Sequence, residues 1–409
     1  MKKKILLTLT ITIFLIALLL YFYTNSKSTQ PEIKWSKTFG DNTNEEGWYV
    51  KSTDDGGCVV LGIIVYNDSY ETKNQDIYLI KIDGNGNKEW ERNYGGNGDD
   101  YGKAIIETND GYIIAGTSNS GGLTEFDYNA WLIKTDSNGN EGPGYPGTWN
   151  KTYGGVYKDG ANSIIETKNE NYIVTGFTYP HDNKDGNLWV FKINKTGEVI
   201  WNKTFGGVRF DEGRSLVETD DGYVIAGQTY SYSKEDNYSD AWLFKVNKTG
   251  YPMWNTTFDG FGYDDLFNQI IQSDDGFIMV GNVQNKTENE LYDEYSDGYI
   301  VITDENGNSS FERIIEEDQE TGISSVEKTD DSYLVTGYIG PFGTGEGDIL
   351  VEKIDNSSNR VWMKTYGGDY SDAGIWIDGG SENNYFITGY EDLEGTGSTD
   401  VWVMKIQIN

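Results

Sequence analysis

Acidic residues recur at one place in a repeating pattern. Glu45 and Glu46, Asp99 and Asp100, Asp159, Asp211 and Glu212, Asp264 and Asp265, and Asp372 each follow a glycine-bearing segment. Two kinds of chemistry suit carboxylates placed this way. Gathered around one opening, they would offer the oxygen ligands that Ca²⁺ takes, and calcium is the one cofactor they suggest. Taken singly, each would accept backbone N–H bonds and fix its own turn. Recurrence in nearly every repeat favours the second reading, because a binding site needs only one special place. Nearby variable segments carry Tyr230, Tyr232 and Tyr292. Exposed tyrosine beside Asp, Asn and Gly suits sugars or peptides. The candidate ligand-binding residues are therefore Asp99, Asp100, Asp211, Asp264, Asp265, Tyr230, Tyr232 and Tyr292.

Other catalytic constellations are scarce. The single histidine is His181, so a Ser-His-Asp site has one possible centre, and nothing marks its serine. No P-loop, zinc spacing or dinucleotide fingerprint occurs. Paired carboxylates for glycoside hydrolysis are compatible with the composition, but acids are too abundant to single out a pair. Asp136-Ser-Asn138-Gly-Asn140 and Asp304-Glu-Asn306-Gly-Asn308 faintly resemble a calcium-binding loop. Their glycine comes too early and no Glu closes them, so they read as hairpin turns.

What positions these residues is a repeat. An anchor Trp stands at Trp35, Trp90, Trp149, Trp201, Trp254 and Trp362, with Phe311 in the remaining slot. A glycine closes a short apolar run at Gly62, Gly116, Gly176, Gly227, Gly281, Gly337 and Gly389, always 26 or 27 residues after the anchor. Seven copies at a period of 51–59 residues establish a repeat architecture. The clearest copy runs from Trp201 to Gly250. It reads as four short strands: GRSLVETDDG, GYVIAG, DAWLFKVNKTG and the anchor segment WNKTFGG. Runs such as YVIAG are apolar at consecutive positions, which suits strands covered on both faces. The expected fold is all-β, a seven-bladed β-propeller of four-stranded blades over residues 33–409.

Ahead of it, residues 1–4 form a basic flank. Ile5 to Tyr23 is uncharged and mostly apolar, long enough to span a bilayer as one N-terminal transmembrane helix. Residues 24–32 form a linker. Lysine on the N-terminal side keeps that end inside and places the propeller outside the cytoplasm. An uncleaved anchor fits better than a signal peptide, because the apolar run is long and leads into YFYTNSKS. The formal net charge is −34; beyond residue 30 there are 28 basic and 66 acidic side chains. Such a domain will not bind nucleic acid through its overall field. It meets the membrane only through the N-terminal helix.

The cycle W-x-K-T-[FY]-G-G, D-G-Y-x-[IV]-x-G, W-L-x-K-[IV]-[DN] resembles the roughly 50-residue repeat of uncharacterised secreted β-propellers from archaea and bacteria, and covers residues 33–409. The resemblance implies a fold and a surface location, and no established chemistry. Leu132-Ile-Lys-Thr-Asp-Ser-Asn-Gly is also similar to repeats of quinoprotein-type propellers. Those resemble eight-bladed rings, often with vicinal cysteines, whereas this chain has seven copies and only Cys58. Cofactor use is not implied.

The expected function is a membrane-anchored extracytoplasmic binding or structural surface module. Its ligand would be a glycan, peptide or cation on the loop-rich face. The alternative is a polysaccharide hydrolase or lyase using carboxylates of that face. Three structural expectations accompany this reading. The N-terminal segment 33–39 should complete the last blade beside Val401 to Ile406. A first-strand acid should meet a third-strand lysine, as Glu107 with Lys134, Glu166 with Lys192, Glu218 with Lys245, Glu327 with Lys353 and Asp378 with Lys405. The variable loops should face away from the membrane.

Overall fold

A computed structural model describes residues 30–408 apart from 41–42, 68–72, 121–126, 181–185, 236, 261–262, 287–293, 316, 341–346, 369–371 and 393–398. Seven four-stranded antiparallel sheets follow one another around a ring. Six are contiguous: blades 1 to 6 span residues 44–94, 100–153, 159–205, 211–258, 265–315 and 321–366. Blade 7 takes three strands from 372–407 and its outermost strand, Glu32–Phe39, from the other end of the chain. That strand pairs antiparallel with Asp400–Gln407, Thr38 facing Trp402 and Phe39 facing Val401. The expected closure is present. The expected membrane segment, 5–23, lies outside the described residues. Among the described residues no helix is long and apolar enough to cross a membrane.

Consecutive apolar residues within each strand have two destinations. In blade 2, Ile113 and Ala115 pack toward blade 3, while Ile114 joins Leu61 and Leu79 of blade 1. Every junction between blades holds such a cluster, and the junction of blades 7 and 1 unites Val401 and Val403 with Val50, Val60 and Ile80. The core is thus a ring of seven interfaces, which is how a chain of this length keeps adding buried surface.

The anchor tryptophan has a direct structural reason. Trp35, Trp90, Trp149, Trp201 and Trp254 each lie against the third-to-fourth turn of the next blade. Trp90 covers Gly139, and Trp201 covers Gly250, glycines with φ of +72° and +80°. The turn needs a residue tolerant of positive φ, and a flat ring can lie on it only where no Cβ projects. Trp35 does the same across the ring closure, and its Nε1 donates to the Gly84 carbonyl at 3.1 Å.

The same turns settle the calcium-loop likeness. Asp136 accepts from the backbone N–H of Asn138 and Asn140 at 2.9 and 2.8 Å, and from the Asn140 side chain at 3.1 Å. Asp304 repeats the pattern. These carboxylates hold hairpin turns together, and their bonds lower both pKa values.

The expected acid–lysine pairing is corrected. Among the described residues, none of the five pairs forms an ion pair. In four blades the third-strand lysine instead reaches the acid of the first-to-second turn in its own blade: Lys81 to Asp55 at 2.7 Å, Lys134 to Asp110 at 2.9 Å, Lys245 to Asp221 at 2.8 Å and Lys353 to Asp331 at 3.3 Å. Lys192 bonds the Tyr223 hydroxyl and Lys405 two backbone carbonyls. The second strand separates the first from the third, so a lysine on the third meets the hairpin tip more readily than the far strand. Glu218 and Asp378 find other cations, Lys248 and Lys51.

Candidate functional site: the central channel

The first strand of each blade is innermost, and all seven carry a β-bulge at the same place. The register slips between Gly47 and Tyr49, and likewise around residues 103, 162, 214, 268, 324 and 375. A bulge inserts one unpaired residue and re-aims it. Those seven residues are Trp48, Lys103, Asn162, Arg214, Asn268, Ser324 and Ile375. All of them line one cavity of about 520 Å³ in the centre of the ring. The bulge also explains the repeated second-strand glycine. A Cβ on Gly116 would stand 1.9 Å from the Tyr101 carbonyl oxygen, and one on Gly227 2.0 Å from that of Glu212. Glycine is what lets the bulged strand come this close.

Position by position, the channel is unlike the rest of the repeat. Two residues beyond the bulge, every blade places a buried apolar side chain: Val50, Ile105, Ile164, Leu216, Ile270, Val326 and Ile377. At the bulge itself no two blades agree except in their asparagines, Asn162 and Asn268. The side chains there are also held. Arg214 donates from Nε to Glu212 at 2.7 Å and from Nη1 to Asn268 at 3.2 Å. Asn162 donates to the Gly213 carbonyl at 2.9 Å. Trp48 donates from Nε1 to Glu46 at 2.8 Å and stacks on Tyr101 with centroids 6.2 Å apart. Lys103 lies over the Trp48 ring at 4.1 Å. Further along, Tyr49 stacks on Trp376 at 4.0 Å. Enclosure by the channel walls, and then the nearby Arg214 charge, hold the Lys103 ammonium down to about 8.

A second polar cluster stands three residues beyond the bulge. Lys51 pairs with Asp378 at 2.9 Å, and the Ser52 backbone N–H donates to the same carboxylate at 2.8 Å. Burial, then the Asp378 charge, push the neighbouring Glu327 carboxyl up to about 8. Burial and the nearby charge thus let Glu327 keep its proton near neutral pH.

The residues singled out by sequence occupy other places. Asp100, Asp211 and Asp265 are all 0 % exposed, at the same position in three different blades. They accept the backbone N–H of Gly96, Gly207 and Gly260 at 3.0, 3.0 and 2.7 Å, closing the loops that lead into their own first strands. Asp99 and Asp264 are half-buried; Asp264 accepts from the Ser239 N–H at 2.7 Å. Tyr230 adjoins Asp264, and burial, followed by its side chain's hydrogen bond to that carboxylate, lifts its pKa to about 12. Tyr232 is exposed, with its hydroxyl on the Gly206 carbonyl at 2.9 Å. Tyr292 and His181 lie outside the described residues. Among the described residues no group of three or more His, Cys, Asp or Glu could hold a metal ion. Cys58 is buried in the junction of blades 7 and 1.

Asp265 differs from its counterparts. Asp211 faces Thr229 across the ladder and receives its hydroxyl; Asp100 faces Ser118 and Asp159 faces Thr178. Opposite Asp265 stands Val283, which has no hydroxyl to give; the Asp265 Oδ1, like those of Asp100, Asp159 and Asp372, has no donor among the described residues. Burial pushes its pKa up to about 8, with Asp259, Asp240 and Asp264 adding to the rise. A raised carboxyl pKa favours the protonated folded state, so this contribution to stability is present near pH 4 and is lost as pH rises toward 8. Val283→Thr should supply the missing hydroxyl and lower that pKa. The expected gain is about 1 kcal/mol at pH 8.5 and close to none at pH 4, read from urea midpoints. An equal gain at both pH values would refute the account.

Comparison with family models finds no match, and comparison with curated protein sequences finds none either. Solved structures do align. The β-propeller domain of the Trilobed protease from Pyrococcus furiosus is 12% identical, with 91% of this chain and 97% of that chain covered and a TM-score of 0.49. The polysaccharide lyase Uly1 is 9% identical over 93% and 94%, with a TM-score of 0.49. A protein of unknown function from Dyadobacter fermentans is 9% identical over 93% and 99%, with a TM-score of 0.47. The propeller assignment rests on the seven sheets themselves.

The channel ring was missed by sequence reasoning, although a signal was available. Each bulged residue lies 13 or 14 positions before the repeated glycine of its own blade. Aligning the copies on that glycine, with a one-residue gap in the four shorter ones, gives a column of W, K, N, R, N, S and I.

Proposed function

We propose that this protein is a binding module that takes its ligand in the central channel, entered from the loop-rich face, and that an N-terminal anchor over residues 5–23 holds it outside the cytoplasm. The observation that supports binding is the bulge ring: seven equivalent positions, one cavity, and chemically different side chains at nearly every one. A purely structural channel has no need of such variety. Small-molecule sites combine an apolar or aromatic wall with a few oriented polar groups in a cavity of this size. The strand Glu32–Phe39 enters from the short-turn face, as its pairing with Asp400–Gln407 requires. A linker of about ten residues reaches at most roughly 35 Å. On this reading the channel mouth faces away from the membrane.

Glycan arrays and pulldowns with soluble saccharides should register binding that persists in chelator. Trp48→Ala should weaken it at least tenfold while leaving the melting temperature within a few degrees. Binding that survives Trp48→Ala unchanged would place the ligand elsewhere. A second reading, turnover of a bound polysaccharide, is favoured by Glu327, whose carboxyl beside Asp378 is raised to about 8 as a general acid requires. Product release from a bound glycan, abolished by Glu327→Gln, would establish it; binding without turnover would leave the module.

A further inference from the structure

The outer surface of this protein is strongly acidic, yet two of the seven residues that its bulges aim into the channel are cations. Lys103 has no carboxylate partner among the described residues; its ammonium rests on the Trp48 ring at 4.1 Å and lies 5.7 Å from the Tyr101 ring centroid. Five lysines elsewhere in the sheets, Lys51, Lys81, Lys134, Lys245 and Lys353, each reach an acid, while Lys192 bonds the Tyr223 hydroxyl and Lys405 the carbonyls of Gly56 and Gly84. Arg214 spends Nε on Glu212 and Nη1 on Asn268, and its Nη2 bonds no described group. The two cations share the channel closely enough that Arg214 is the largest charge acting on Lys103, ahead of Glu212 and Glu46. An enclosed cation without a counter-charge is costly, and a second cation beside it adds to the cost. An oxyanion beside Lys103 would supply the counter-charge it lacks, and Arg214, whose Nε is already held by Glu212, could present its Nη2 to the same anion.

The aromatic side chains specify the rest of the ligand. Trp48 is fixed by its bond to Glu46 and by stacking on Tyr101, and Trp376 by stacking on Tyr49. Such platforms receive the flat apolar face of a ring. Asn162, Asn268 and Ser324 line the same cavity and offer partners for hydroxyls. We infer that the channel binds an acidic sugar, a pyranose ring carrying one oxyanion, with Lys103 and Arg214 on the anion and the aromatic platforms on the ring. This inference rests on the channel being the binding site.

The long-range field opposes an anion, but at physiological salt it is screened within about 8 Å. Inside the channel the local cations decide. An anion there would draw the depressed Lys103 pKa upward. Binding near pH 8 should therefore take up protons, visible as a binding enthalpy that depends on buffer ionisation.

Calorimetry on the full chain tests the assignment with glucuronate, galacturonate, glucose 6-sulfate, glucose and acetate. A uronate or the sulfate ester should bind at least tenfold more tightly than glucose or acetate, and which of the two is tighter identifies the anion. Lys103→Met should bring the acidic sugar down to the level of glucose, Lys103→Arg should retain it, and Trp48→Ala should weaken both sugars. Unchanged melting of the variants shows that folding is not the cause. If glucose binds as well as the acidic sugars, or Lys103→Met changes nothing while Trp48→Ala abolishes binding, the anion assignment falls and the channel site stands. If the acidic sugars bind and neither substitution matters, the channel site falls as well. Failure of every probe to bind overturns the assignment.

Discussion

Gly227→Ala is expected to cost about 3 kcal/mol and to abolish ligand binding without touching the ligand. The added Cβ would lie 2.0 Å from the Glu212 carbonyl oxygen and 3.0 Å from the Gly213 Cα. Both are backbone atoms inside a sheet, so neither can swing aside as a side chain would. Overpacking a well-filled site costs about 1–3 kcal/mol, and here the strand that must move is the innermost one. Moving it displaces Glu212, which orients Arg214 at 2.7 Å, and with it the bulge that places Arg214 in the channel. Gly116→Ala should act in the same way on Lys103, through the Tyr101 carbonyl 1.9 Å away. Gly155→Ala is the control: its nearest neighbour would be 4.0 Å off, so stability and binding should both hold. Urea unfolding and saccharide binding of the three variants decide the matter. A Gly227→Ala protein as stable as the Gly155→Ala protein would show that the bulge does not depend on the glycine.

The repeat made most of the fold legible. Anchor spacing gave the blade number, doubly apolar strands such as Tyr223–Ala226 gave the two-sided packing, and the segment around Trp35 gave the closure. Interactions across strands were less legible. The pairing of Glu107 with Lys134 rests on recurrence alone, but recurrence does not say which strand lies between two residues, and Asp110 at the hairpin tip is nearer. The acids that draw the eye, Asp100, Asp211 and Asp265, recur because every loop needs closing. The channel residues escape notice for the opposite reason. Trp48, Lys103 and Arg214 have no common type, so a search for shared residues passes over the column in which the blades differ. A bulge is also invisible to a strict alternation of faces, because it adds one residue and puts the rest of the strand out of step.

Removing residues 30–40 should produce the largest loss of stability of any change considered, more than about 5 kcal/mol. The segment supplies a whole strand. Seven of its residues stand in register with the strand Asp400–Gln407, and Phe39 and Trp35 pack on the junction of blades 7 and 1. Trp35 alone reaches Phe386 at 6.0 Å and the Gly84 carbonyl at 3.1 Å. Truncating a well-packed Trp costs about 3–5 kcal/mol, and each backbone hydrogen bond lost from the ladder adds about 1. The same segment spans two blades, so its loss opens the ring as well as thinning one sheet. The exposed edge Val401-Trp-Val-Met-Lys-Ile406 is long and apolar, a template for pairing with another chain. The truncated protein should therefore melt far below the full chain and associate with itself. A synthetic 30–40 peptide should restore the melting temperature in a concentration-dependent way, as any ligand of the folded state does. Trp201→Ala, in the equivalent place of a contiguous blade, should cost less than the deletion and leave the protein monomeric. A truncated chain that melts with the full one would mean that the last blade does not need its fourth strand, and that the contact between blades 7 and 1 alone closes the ring.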